Sequence, residues 1–120
     1  MISILIPTYN YNITRLVADL HQQALDTYVD FEIIVIEDGS TLFVEDNKAV
    51  NDFEFCRYII LSENIGRSAV RNKLADEAKF GHLLFMDCDA EVFANPALVA
   101  SKIKEALDNR KTLESNNQIN

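Results

Sequence analysis

Glycine is scarce in this sequence: Gly39, Gly66 and Gly81 are the only three in 120 residues. That spacing holds no G-x-G-x-x-G and no G-K-[ST], which excludes a standard dinucleotide fingerprint and a P-loop NTPase. Cysteine is as scarce. Cys56 and Cys88 cannot make a disulfide scaffold, and neither they nor any serine sits in a nucleophile elbow. No apolar run approaches the length of a membrane span. Met1 leads straight into a strand-like run with no basic segment or cleavage site, so no signal peptide is read. The expected setting is reduced and cytoplasmic, or peripheral to the cytoplasmic face of a membrane. Basic residues are outnumbered, 11 against 19 acidic, for a net charge of −8. That balance argues against nucleic acid as a partner and is otherwise ordinary for a solvated surface.

What the chain does have is four hydrophobic runs, each ending in a polar cluster. Ile2–Ile6 is followed by Pro7-Thr8-Tyr9-Asn10, and Phe31–Ile36 by Glu37-Asp38-Gly39-Ser40. Arg57–Leu61 is followed by Ser62-Glu63-Asn64-Ile65-Gly66, and His82–Met86 by Asp87-Cys88-Asp89. Nearly unbroken apolar strands suit a sheet buried on both faces. The gaps between them can hold helices. Ile13, Leu16, Val17, Leu20 and Ala24 recur at helical spacing and predict a helix over 12–26. Val70, Leu74, Ala75 and Ala78 predict another over 67–79, with Gly81 as its stop. Residues 41–53 have no clean period. Pro96 opens a last helix with Leu98, Val99, Ile103, Ala106 and Leu107 inward, and 112–120 reads as a disordered tail. The alternation predicts an α/β fold with a parallel sheet, helices on both faces, in one domain over 1–111.

In such a sheet the strand C-terminal ends share one edge, where ligands bind. Asp87 and Asp89 would point the same way if the strand continued through them. Two close carboxylates invite a divalent cation, and oxygen donors suit Mg²⁺ or Mn²⁺, with Glu91 as a third donor. Solvated loop acids are the plain alternative. Asn64 to Asn72 opens a helix after the third strand, where free N–H groups and the helix dipole favour anions. Arg67 and Arg71 share a face there and could bind a phosphate or carboxylate, or be ordinary surface arginines. Asp38 could accept from a ligand N–H or O–H, or bond its own turn. Tyr9 could stack on a base or pack a rim. His21 and His82 read as structural or exposed.

Taken together, Ile4-Leu5-Ile6-Pro7-Thr8-Tyr9-Asn10, Ile34-Val35-Ile36-Glu37-Asp38-Gly39-Ser40, Asn64-Ile65-Gly66 with Ala69-Val70-Arg71-Asn72, and Phe85-Met86-Asp87-Cys88-Asp89 are distinctive. In this order they resemble the nucleotide-binding half of family-2 inverting glycosyltransferases of the GT-A fold, from Ile2 to about Pro96. The resemblance implies a Rossmann-like sheet of order 3-2-1-4, a nucleotide-sugar donor (a UDP-sugar foremost) and a divalent metal. Pro7, Thr8 and Tyr9 would border base and ribose. Asp38 would hold the base, Arg71 would approach base or diphosphate, Asp87 would contact the ribose, and Asp89 would bind the metal. Glu37 stands where the family more often has Asp, a position that supports rather than binds. Ala90 stands where many members carry another acid.

The family's acceptor-binding half normally supplies the general base, and none is visible after Pro96. The chain is therefore expected to be a donor half domain, from a longer protein or an abbreviated gene, with weak transfer alone. A glycan or lipid-linked acceptor, bacterial polysaccharide synthesis, and self-association through uncovered apolar surface are further expectations. Three alternatives stay open. A receiver domain would need an acidic pair after strand one. A phosphatase would need Asp-x-Asp there. A non-catalytic nucleotide-binding or interaction module is compatible with the pattern.

Overall fold

The structure, a computed structural model, describes residues 1–90 and 97–119, and of 109–119 the backbone alone. Four strands form one parallel sheet: β1 (Ile2–Thr8), β2 (Phe31–Asp38), β3 (Cys56–Leu61) and β4 (His82–Phe85), in the order β3-β2-β1-β4. Helices α1 (Thr14–Leu25), α2 (Val44–Asn47), α3 (Arg67–Glu77) and α4 (Leu98–Ile119) connect and flank it. The irregular stretch 41–53 becomes α2 and a 3-10 turn over Lys48–Asp52.

The central strands are buried on both faces because neither side of β1 or β2 carries an exposed run. Alternation splits them. Ile2, Ile4 and Ile6 join Ile33 and Val35 in a core with Leu16, Val17 and Leu20 of α1 and Val99 and Ile103 of α4. Leu5, Ile34 and Ile36 pack on the opposite face against Val70 and Leu74 of α3. Register follows: Ile4 lies beside Ile33 and Leu84, and Leu5 beside Ile34 and Phe85. Burial of such a side chain contributes about 1.5–3 kcal/mol, so these two faces set the strand positions.

Three boundaries differ from those the sequence predicts. Helix α3 ends at Glu77 because Ala78 turns to extended backbone (φ −64°, ψ 130°), and Gly81 plays no part in the stop. Strand β4 ends at Phe85, one residue early, and the chain then turns. Helix α4 stays helical to Ile119, through the region read as a tail, since no glycine or proline follows Pro96. Pro96 and Glu91 lie outside the described residues.

Candidate functional site at the strand ends

The C-terminal ends of β1, β2 and β4 lie together because β1 pairs with both of the others. The loop after β3 crosses over the end of β2. Gly39, at φ 65°, makes this crossing possible: a Cβ there would stand 2.3 Å from the Asn64 backbone nitrogen. Gly66 (φ 92°, ψ 155°) then turns the chain into α3.

Asp38 fastens that crossing. Its carboxylate is almost wholly buried and accepts the backbone N–H groups of Ile65 (2.7 Å) and Gly66 (3.1 Å). Its carbonyl oxygen accepts the Asn64 side-chain amide at 3.1 Å. Asp38 thus ties one loop to another, a partner neither the base-binding nor the own-turn reading included. Each carboxylate oxygen keeps a second lone pair for a ligand.

Behind it lies a buried polar network centred on Glu37, which has no solvent exposure. Glu37 accepts the Ser40 hydroxyl (2.5 Å), the Asn47 side-chain amide (3.0 Å) and the Tyr58 hydroxyl (2.5 Å). Asn47 also donates to the Tyr11 carbonyl and accepts the Ile13 N–H. The Ser40 hydroxyl oxygen accepts the Asn10 backbone N–H, and the Asn10 side-chain Oδ1 accepts the backbone N–H groups of Thr41 and Leu42. Burial, then the bond to Glu37, pushes the Tyr58 hydroxyl above its ordinary pKa. Glu37 therefore braces the loops after β1 and β2 against α2 and β3.

The braced loops enclose a cavity of about 310 Å³ lined by Pro7, Tyr9, Asp38, Asn64, Gly66, Arg67 and Val70. Of the predicted site residues it gathers Pro7, Tyr9 and Asp38. Tyr9 is half exposed and free to offer its ring face. Thr8 is buried, and its hydroxyl makes no hydrogen bond of ordinary geometry. Burial pushes the neighbouring Cys88 thiol up, and a weak contact with Thr8 opposes that rise. Arg71 does not line the cavity; its guanidinium lies 4.1 Å from the centre of the Phe85 ring. Arg67, one turn earlier, does line it, and pairs with Asp87. The sequence offers Arg67 and Arg71 as one anion-binding face, and of that pair Arg67 is the one lining the cavity; Asn64, part of the family resemblance but given no role by it, lines the cavity as well.

Asp87 and Asp89 do not lie on a strand. The Ala90 N–H bonds the Asp87 carbonyl oxygen at 3.1 Å and closes a turn, so strand alternation does not align their side chains. Both are exposed. Among the described residues no three acids, histidines or cysteines cluster as metal ligands. Two exposed carboxylates in one turn still match the chemistry of Mg²⁺, which is often held by one or two carboxylates and the substrate's phosphates.

A larger hollow, about 720 Å³, lies at the other end of the strands, between Leu25, Tyr28, Phe31, Phe55 and Phe80. Its Glu32 accepts from Ser3 and Lys79, and its Arg57 bonds Glu77, so these polar groups serve the fold.

The arrangement has known counterparts. The crystal structure of S. aureus TarS matches with a TM-score of 0.55 and 26% identity, over 73% of this chain and 16% of that one. S. aureus TarS 1–349 in complex with UDP-GlcNAc matches with a TM-score of 0.63 and 28% identity, over 73% and 26%. The same TarS segment in complex with UDP shares the fold at 0.57 and 24% identity, over 73% and 27%. The chain thus spans about a quarter or less of the solved structures it matches. No match is found among curated proteins. The family model described as glycosyl transferase family 2 matches residues 3–112, which takes in all four strands and every polar cluster at their ends, and the chain belongs to that family.

Proposed function

We propose that this chain is the donor-binding half of an inverting glycosyltransferase that takes a UDP-sugar with Mg²⁺ or Mn²⁺. The observation that carries the reading is the cavity at the strand ends, walled by Pro7, Tyr9 and Asp38, in a fold shared with a UDP-GlcNAc complex. Tyr9 gives the base a ring to stack on, and the second lone pairs of Asp38 can accept a base N–H. Asp87 meets the ribose, and Asp89 holds the cation. When bound, the metal neutralises charge on the departing diphosphate.

Inversion by direct displacement needs a base to take the acceptor's proton. Among the described residues the one acid lining the cavity, Asp38, is tied to two backbone N–H groups and sits on the donor side. We assign the base and the acceptor pocket to an acceptor-binding half of the kind such enzymes carry, and expect residues 1–120 alone to transfer sugar weakly or not at all. A glycan or lipid-linked acceptor at the cytoplasmic face of a bacterial membrane fits this chemistry. Calorimetry tests the donor half. UDP should bind with Mn²⁺ or Mg²⁺ and not with chelator, and Asp89→Ala should lose the metal-dependent part. Metal-independent binding, or unchanged binding in Asp89→Ala, would remove the role given to Asp89. Absence of UDP binding would refute the reading.

A further inference from the structure

Among the described residues two formally charged side chains line the cavity, Asp38 and Arg67. The Asp38 carboxylate accepts the Ile65 and Gly66 N–H groups. Arg67 is the first residue of α3, where a cation opposes the helix dipole, and the first turn contains no acid to offset it. Its partner is Asp87, across the gap from β4. Both members are exposed, 64% and 61% of the side chain, so the pair is weak and readily exchanged. Arg71, the other arginine on this face, lies over the Phe85 ring and does not line the cavity.

We propose that Arg67 is the side chain that reads the phosphates of the ligand, and that Asp87 holds it in place until they arrive. The proposal rests on the nucleotide reading of the cavity. A guanidinium can exchange one carboxylate for two phosphate oxygens in a forked geometry. The unfavourable placement of Arg67 at a positive helix end then becomes favourable, because the anion meets both the dipole and the side chain. Release of Asp87 in the same exchange frees its carboxylate for the sugar side of the ligand.

Calorimetry on the whole chain with UDP, uridine and metal-free inorganic pyrophosphate separates the steps. Arg67→Gln should weaken UDP roughly ten- to a hundredfold, the worth of a charged hydrogen bond, and uridine less than twofold. Arg67→Lys should recover part of the loss. Asp87→Asn should strengthen pyrophosphate binding, since the competing carboxylate is gone. Equal losses for UDP and uridine in Arg67→Gln, or a UDP-selective loss in Arg71→Gln instead, would overturn the assignment. Weaker or unchanged pyrophosphate binding in Asp87→Asn would overturn the holding role. If the wild type binds uridine and UDP but Arg67→Gln changes neither, this inference alone falls. If the wild type binds neither, the nucleotide reading falls with it.

Discussion

Replacing Glu37 by leucine removes the acceptor of three hydrogen bonds while keeping most of the side-chain volume. The donors are the Ser40 hydroxyl, the Asn47 amide and the Tyr58 hydroxyl. Asn47 is fully buried and Tyr58 nearly so, and neither can turn to water; Ser40 is partly exposed and can. A buried donor left without an acceptor costs about 1–3 kcal/mol, and relief from burying a carboxylate offsets part of the sum. The expected loss is about 3–5 kcal/mol, a large share of the roughly 5–15 kcal/mol that holds a domain together. Glu37→Gln keeps an acceptor oxygen for Asn47 and Tyr58 and should cost about half as much. Urea denaturation followed by circular dichroism measures both, as shifts of midpoint at constant slope. A cycle with Tyr58→Phe should show a coupling of about 1 kcal/mol or more, since the two groups share one network. A Glu37→Leu protein within 1 kcal/mol of wild type would mean that the network is incidental, and that something other than Glu37 braces the loops.

Three further outcomes follow from the same geometry. Gly39→Ala should unfold the loop crossing or the domain, because its Cβ meets the Asn64 backbone at 2.3 Å, whereas Gly66→Ala meets nothing and should cost only about 1–3 kcal/mol of backbone strain; thermal melts rank the two, and equal losses would refute the steric account. Asp38→Ala should lose about 2–4 kcal/mol by freeing two N–H groups that a carboxylate now holds, and Asp38→Asn less, measured by urea titration. Burial pushes the Cys56 thiol from 9.0 to about 12, so the unfolded chain loses this proton first as pH rises. Its contribution is intact below pH 9 and is lost between pH 9 and about 12, and Cys56→Ala should show a shallower alkaline fall in stability than wild type.

The sheet was legible because its central strands are simple. Ile2 to Ile6 and Phe31 to Ile36 are apolar on both faces, and that pattern has one good solution, a strand between two others with helices on either side. Strand order was not legible from periodicity, since any permutation buries the same residues; the resemblance supplied it, and the pairing of β1 with β2 and β4 agrees. The errors lie where a local rule was carried past the end of its element. Alternation was extended from β4 into Asp87 and Asp89, but the hydrogen bond from Ala90 to Asp87 had already closed a turn. Gly81 predicts a helix stop, while the chain leaves α3 at Ala78.

The site was legible as an edge and illegible as a set of contacts. Pro7, Tyr9 and Asp38 were placed by the strand ends they terminate, and a strand end is a local property. Glu37 could be marked only as a supporting position, because its three partners come from a loop, a short helix and a neighbouring strand. Arg67 and Arg71 share a helix face and differ by one turn, about 5–6 Å along the axis. Nothing in their spacing says which turn reaches the cavity. The fold decides it, through the height at which Val70 and Leu74 seat α3 against Leu5, Ile34 and Ile36. Asp38 is the instructive case. It lies at the end of β2 and lines the cavity, yet its carboxylate also anchors the loop that brings Asn64, Gly66 and Arg67 there. Loss of nucleotide binding in an Asp38 variant therefore cannot by itself show contact with a base. The contact is shown only if binding falls while the loop anchor, read from stability, is kept.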